Sequence, residues 1–390
     1  MSWEEFVDQL RPLGAKMAER LPPRLSDDPQ TLAEAQRLLL AATMRAVADA
    51  IIGDRAHPMF VPELNIALNL FQPNSDTIYK SALIEPGGSY RMRGERGSVK
   101  FMRMAQLGPD TLRTGKHAPT LIDYDFDTLK LSPEGVFDVL ISPERPQGHA
   151  GDWWSLHPKC EKLMIRFISY DWGVEREPRF GIDRLDVAPN RPRLSAQELA
   201  RRFDELPTII GNAATMLVRQ VEALRNDGHI NALKTVDFSQ MTGLARQSYY
   251  EGAYDLEGDE ALYFEVAIPK QCGYWSLILT NEIYETTDWY NNQSSLNGAQ
   301  AVLDTDGVFR AAISARDPGV HNWLDTAGNA KGAVQGRWLD CDERPLPIMR
   351  KVKFAEIRGL FPTDTPTVSA AAREAALRER RLRAQMRTIW

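Results

Sequence analysis

Histidine and cysteine are both scarce in this chain of 390 residues, with six of the former and three of the latter. A resident metal normally needs three or four side-chain ligands. The only pair at ligand-like spacing is His157 with Cys160, and neither an HExxH nor a second pair completes a site. No metal is expected. Cys160, Cys272 and Cys341 stand far apart with no CxxC among them, a usage that fits a reducing compartment and predicts free thiols. Also missing are the GxGxxG fingerprint, the GxxxxGK phosphate loop, the GxSxG elbow and an EF-hand loop. These gaps remove most support for dinucleotide redox chemistry and nucleotide-dependent transfer, and no cofactor is expected.

Charge of one sign is not in large excess either. Lys and Arg number 47 against 53 Asp and Glu, a net charge of -6, which argues against nucleic acid as a partner. The longest apolar run, Leu38 to Ile52, is interrupted by Arg45 and Asp49, and no basic leader with an apolar core opens the chain. A cytoplasmic protein without a membrane partner is the expectation.

What the chain does have is an internal echo. Gly135-Val136-Phe137 aligns with Gly307-Val308-Phe309, and Ile141-Ser142 with Ile313-Ser314 at the same offset. A Pro precedes His149 in one segment and His321 in the other; Asp152-Trp153 then matches Asn322-Trp323, and Arg166 matches Arg337. One recurrence at a domain-sized separation means two related modules rather than a solenoid.

The periodicity changes several times around that echo. Residues 1–57 read as a helical hairpin: Ser2 and Glu5 have capping-box spacing, Pro22-Pro23 stops the first helix, and Asp28-Pro29 starts the second. Residues 58–192 form a first β module, with strands expected at Thr77 to Tyr79, Ser89 to Arg93, Ser98 to Phe101, Val136 to Ile141 and Leu163 to Ile168. A helical connector, 193–230, opens with Ser195 and Glu198, carries a separate helix from Pro207, and stops at Asn226-Asp227-Gly228. A second β module spans 231–362, with strands at Leu262 to Val266, Tyr274 to Leu279 and Val308 to Ile313, and an arginine-rich helix fills 363–390. Short strands between Gly- and Pro-bearing turns predict two related antiparallel β-sandwich or jelly-roll-like domains with helical additions. The basic helix has a weak apolar face, so it reads as a solvated helix, or as an arm that holds a neighbouring copy in a homo-oligomer.

Several residues of the second module resemble a bacterial family known as domain of unknown function 1214: Trp275-Ser276, Asn292 with Ser295-Leu296, Asp306-Gly307, Asn322-Trp323-Leu324 and Arg337. Where that family usually has a proline after the Leu, this chain has Asp325. The first module is similar to the amino-terminal part of such proteins, the companion domain of unknown function 1254, through Asn74, Asp76, Tyr79 and the stretch FISYDWGVEREPRF. The resemblance implies paired jelly-roll-like domains and no established reaction, so function has to come from the sites.

Three groups of residues have suitable chemistry. Asp76 beside the Tyr79 phenol, with Asn74 at the same strand entrance, can exchange a proton if burial raises the carboxyl pKa; an Asx-turn is the plainer reading. Arg337 can grip an oxyanion with two parallel hydrogen bonds, with His321 as proton shuttle and Asn322 and Trp323 beside it, although retention of Trp and Arg in both copies also fits a structural role. Tyr249, Tyr250, Glu251 and Tyr254, followed by Trp275, Tyr284, Trp289, Tyr290, Asn291 and Asn292, can line an aromatic cleft that stacks a ring-shaped ligand. The expected function is a cofactor-independent acid–base enzyme, a lyase, isomerase or hydrolase, acting on a small hydrophobic or ring-containing metabolite near the domain interface. A non-catalytic binder of carbohydrate or apolar ligand is the alternative, and an oligomeric scaffold a third. Convergence of Asp76, Tyr79, Glu251 and His321 in one pocket would favour the enzyme, since a pure binder needs no cluster of titratable groups.

Overall fold

The computed structural model describes residues 2–109, 111–116, 120–237 and 246–390. Three helices open it: α1 (Trp3–Leu10), α2 (Leu13–Arg20) and α3 (Pro29–Ala46), the last extended by a π-helical turn, Val47–Ile52. The Ser2–Glu5 capping box forms in both directions, at 2.6 and 3.1 Å, and Asp28 caps α3 by accepting from Thr31 N at 2.8 Å. The expected first helix is two helices, because Pro12 has no N–H to donate and its ring crowds the preceding turn. The connector departs from expectation in the opposite sense. After α4 (Thr111–Thr114), helix α5 (Ala196–Thr215) runs straight through Pro207 before α6 (Gln220–Asn226). Its stripe of Leu206, Ile209, Ile210 and Ala213 is buried against Leu13, Met17, Leu38 and Ala42, which offsets the missing hydrogen bond.

The first unit has nine strands: β1 (Val61–Leu64), β2 (Thr77–Leu83), β3 (Tyr90–Glu95), β4 (Phe101–Leu107), β5 (Thr120–Asp125), β6 (Val136–Ser142), β7 (Asp152–Ser155), β8 (Lys162–Ile168) and β9 (Arg179–Arg184). The second has β10 (Lys234–Val236), β11 (Gln247–Asp255), β12 (Glu260–Ala267), β13 (Cys272–Leu279), β14 (Ser295–Asn297), β15 (Val308–Ser314), β16 (Trp323–Asp325), β17 (Lys331–Cys341) and β18 (Ile348–Lys353). Each unit pairs a five-stranded sheet with a four-stranded one. The orders are β1-β2-β8-β4-β5 with β7-β6-β3-β9, and β10-β11-β17-β13-β14 with β16-β15-β12-β18. Strand for strand, this is one topology built twice. In both, the single parallel pairing among the described strands is the same one, β6 with β7 and β15 with β16.

The repeated letters build a repeated corner. Trp153 sits opposite Leu140, and Trp323 opposite Ala312, at equivalent points of β6 and β15. The Trp153 indole donates to Ser142 Oγ at 3.0 Å, and the Trp323 indole donates to Ser314 O at 3.0 Å. Each serine hydroxyl then donates to a carbonyl two residues on, Glu144 or Arg316, at 2.7 Å.

Alternation along the strands sends one set of side chains into each sandwich: Met92, Val139, Met102 and Phe167 in the first, Phe264, Phe309, Trp275 and Trp338 in the second. The opposite faces of the two five-stranded sheets meet each other, with Phe101 and Ile168 against Tyr274 and Leu339. A Cβ on Gly273 would stand 2.9 Å from the Phe101 ring, so that contact requires glycine.

Two expectations are corrected by distant pairings. Cys272 and Cys341 are register partners on β13 and β17 and form a disulfide, their Cα atoms 3.9 Å apart, while Cys160 is free and buried. The argument for a reducing compartment from free thiols therefore falls, since disulfides persist in oxidising ones. No helix among the described residues is long and apolar enough to cross a membrane. Nor is the last helix, α7 (Ala370–Gln385), a wholly solvated one: four arginines of this terminal segment reach back to their own chain, while Arg378 and Arg381 stay exposed. Arg373 pairs with Asp317 at 2.9 Å and Arg380 donates to Trp289 O at 2.7 Å, both in the second unit. Arg383 pairs with Asp171 at 3.2 Å and Arg387 with Glu177 at 2.7 Å, both in the first. The helix straps the two units of its own chain together.

Candidate functional site

The facing sheets do not close completely. Between them, under the α5–α6 junction, lies a cavity of about 220 Å³. Tyr79 from β2 and Lys162 and Arg166 from β8 form the first unit's wall; Tyr249 from β11 and Gln335 and Arg337 from β17 form the second's. Register explains the symmetry: Tyr79 is opposite Arg166 in one ladder and Tyr249 opposite Arg337 in the other. The duplication thus turns two Tyr–Arg pairs toward one space.

Arg337 is 5% exposed. Its Nη2 donates to Gln335 Oε1, and its guanidinium lies 5.3 Å from the centre of the Tyr249 ring. Its Nε has no partner, and among the described residues no carboxylate comes within ion-pair reach of it. Gln72 Nε2, on the same cavity, is a second buried donor without an acceptor. Each such donor costs roughly 1–3 kcal/mol when nothing accepts from it, and a buried charge costs more.

Behind Gln335 lies Glu251, fully buried, which accepts from the Tyr284 hydroxyl, from Gln335 Nε2 and, at 3.1 Å, from Gln220 Nε2. Burial pushes its pKa up against the pull of those donors. Tyr284 lines the cavity with φ at 67°, and so do Phe71 at 57° and Gln72 at 60°. Three of the seven non-glycine residues at positive φ among the described residues therefore border this space. Such conformations cost on the order of 1–3 kcal/mol and collect at functional sites.

The opposite end is a neutralised charge cluster. Lys162 Nζ lies 3.8 Å from Glu63 and 3.7 Å from Asp49, and Arg45 reaches the same two carboxylates at 2.5 and 3.1 Å. Burial would raise the Asp49 pKa, but Lys162, Arg45 and Arg113 hold it far below the usual carboxylate range. This end anchors the helical hairpin to the first sheet.

Of the residues singled out by sequence, Asn74, Tyr79 and Arg337 line the cavity. Asp76 does not. It is buried at the junction of both units, accepting from Trp172 Nε1 at 2.9 Å, Tyr274 Oη at 2.7 Å and Asn297 Nδ2 at 3.0 Å; burial raises its pKa while those bonds oppose the rise. Glu251 stands one hydrogen bond behind the wall. His321 is elsewhere: its Nε2 lies 3.2 Å from Gln300 O beside α7, which removes the geometry for a proton shuttle here. Tyr250 and Trp275 belong to the second unit's core, with the Trp275 and Phe309 ring centres 4.7 Å apart. Trp289 and Tyr290 pack with Trp172 under α7, Asn322 braces Val302 and Arg310 main chain, and Trp323 braces Ser314. Most of the expected aromatic stacking wall is therefore not a wall of this cavity. A strand flips face at every residue, so Tyr249 and Tyr274 look outward where their neighbours Tyr250 and Trp275 look inward. Tyr249 and Tyr284, two of the aromatics expected to line a cleft, do border this cavity, whereas sequence reasoning missed Gln335 and Lys162.

Two copies of one β-sandwich, enclosing a shared cavity and strapped by a terminal helix, define a duplicated β protein with a cavity of small-molecule dimensions. Residues 250–340 match the family described as protein of unknown function (DUF1214). A crystal structure of an uncharacterised protein from Burkholderia cenocepacia is similar at 26% identity and a TM-score of 0.82, covering 90% of this chain and 97% of that one. The VPA0106 protein from Vibrio parahaemolyticus is similar at 12% identity and a TM-score of 0.47, over 82% of this chain and 98% of that one. No curated protein matches the chain.

Proposed function

We propose that the inter-sheet cavity takes a small organic anion, or a molecule that becomes one, with an apolar or ring-shaped body, and that the protein is a cofactor-independent acid–base enzyme for it. The observation that carries this is Arg337, a buried guanidinium on the cavity wall with an unsatisfied Nε and no carboxylate partner among the described residues. Tyr79 on the facing wall is the first candidate for moving a proton, and Met164, Ile168 and Leu217 supply apolar surface for the ligand's body. A lyase, isomerase or hydrolase fits such a site.

One observation favours the non-catalytic reading. Of the four titratable groups whose convergence would mark an enzyme, Tyr79 alone lines the cavity, while Asp76, Glu251 and His321 lie outside its wall. Calorimetry with benzoate, followed by product analysis of candidate ring acids, separates the two. The site reading expects benzoate to bind and Arg337→Met to weaken it at least about thirtyfold, about 2 kcal/mol; equal affinity of wild type and variant overturns it. Turnover lost in Tyr79→Phe supports the enzyme; binding without product from any tested ligand supports the binder.

A further inference from the structure

Arg337, Gln335, Glu251 and Tyr284 form one connected chain from the cavity wall to a carboxylate behind it. Gln335 uses both ends of its amide. Its Oε1 accepts from Arg337, while its Nε2 donates to Glu251 and lies 3.0 Å from the Tyr284 hydroxyl oxygen. The remaining donors to Glu251 are the Tyr284 hydroxyl and the Gln220 amide, so every hydrogen-bond partner of this buried carboxylate is a neutral group. On one side, then, is a buried anion held without a bonded cation, and on the other a buried cation without a bonded anion. Tyr284 stands between Glu251 and the cavity on a left-handed backbone, φ 67°.

We propose that Tyr284 and Glu251 are a proton relay for a weakly acidic ring compound, a phenol or an enolisable ketone, whose oxyanion is held by Arg337. This rests on the cavity reading above and adds to it the chemical class of the ligand and the path of its proton. The ligand's O–H bond, or the C–H bond next to its carbonyl, breaks, and that proton bonds to Tyr284 Oη. The Tyr284 hydroxyl proton passes to Glu251 Oε1, and the electron pair stays on the ligand as an oxyanion beside Arg337. Atoms and charge balance within the site, with no further reactant. The negative charge leaves a place where burial disfavours it and arrives beside the cation that lacks a counter-charge. Tyr284 is the catalytic residue in this scheme, and Gln335 is a positioning residue that aligns Arg337 with Glu251.

The probe is 4-nitrophenol, whose neutral and ionised forms absorb at different wavelengths. At a pH where the free probe is mostly neutral, the wild-type protein is expected to hold it as phenolate, displaceable by benzoate. In Glu251→Gln and in Tyr284→Phe, the ionised-to-neutral ratio of the bound probe is expected to fall about tenfold or more, one pKa unit, whatever happens to affinity. Circular dichroism checks folding, and either variant suffices should the other unfold. A probe that does not bind where benzoate does, that wild type binds as neutral phenol, or that stays equally ionised in the folded variants overturns the relay and leaves the cavity reading standing. Benzoate affinity unmoved by Arg337→Met overturns the cavity reading itself.

Discussion

The two copies place an arginine at the same point of the same ladder and then treat its charge in opposite ways. In the first, Arg166 faces Arg103 on the next strand, and beyond it β5 carries Asp125 opposite Arg103 and Asp123 two residues before. Arg103 pairs with both, at 3.2 and 3.5 Å, and Asp123 is drawn down by Arg103 and Arg166 together, though burial still leaves its pKa at about 6. In the second, Arg337 faces Ser276, and β14 carries Asn297 and Ser295 where β5 has its acids. The copy that kept the carboxylates pairs Arg103 with both and sets Asp123 within the field of Arg166; the copy that exchanged them for an amide and a hydroxyl left Arg337 with no ion-pairing carboxylate among the described residues. Duplication preserved the frame, and divergence on one neighbouring strand made one half of the cavity ready for an anion.

The largest effect expected concerns what holds the copies together. Arg387→Met strands the buried Glu177 and removes donors to the Ser75 and Asp76 carbonyls, and should cost about 3–5 kcal/mol in urea unfolding. Arg387 holds the Glu177 pKa below its ordinary 4.5 despite burial, so this contribution is full above that value and is lost as pH falls through the depressed one. If the units need no strap, the variant will melt like wild type. Light scattering of a chain cut before Ser369 should show an unchanged mass; a halved mass would return the helix to an intermolecular role.

Next comes a test of the copies against each other. Without ligand, Arg166→Met should destabilise and Arg337→Met should stabilise, each by about 1–3 kcal/mol in thermal melts, because one change removes a cation that draws Asp123 down and the other removes a buried charge with no ion-pairing carboxylate among the described residues. The same sign in both would erase the distinction. Smaller again is the pH signature. Burial raises the Asp123 pKa from 3.8 to about 6, so it costs stability above that range, and the cost is relieved as pH falls toward 3.8. Asp123→Ser, the second copy's residue, should flatten that gain, on the order of 2 kcal/mol; a persisting rise assigns it to another group. The smallest effects should fall on the shared corner. Trp153→Phe and Trp323→Phe should each lose about 1 kcal/mol, with the more buried Trp323 losing more. His321→Ala should leave benzoate affinity within about twofold, less than 0.5 kcal/mol.

Most strands were legible because period-two alternation is local: Val136 to Ile141, Leu163 to Ile168 and Val308 to Ile313 sit in β6, β8 and β15. Both helix starts at Ser2 and Asp28 were legible for the same reason, since a cap and the N–H it serves are three residues apart. Candidate sites fared worse. Tyr250 and Trp275 were the conspicuous aromatics, but their neighbours Tyr249 and Tyr274 look outward, and nothing within a single strand says which face meets a second domain. Gln335 had no local mark at all.

From its letters alone this chain determined that one β unit would be made twice, with the same strands, the same Trp–Ser corner and an arginine at the same rung, because each of these follows from alternation and spacing along a continuous segment. Tertiary structure decided everything that depends on partners far apart in the chain. Cys272 meets Cys341 across 69 residues, Asp76 meets Asn297, and Arg387 closes on Glu177. The cavity is of this second kind, since it exists only where the outer faces of two sheets fail to close. Burial and the lack of an ion-pairing carboxylate among the described residues then leave the Arg337 charge uncompensated, and neither quantity is carried by any one segment.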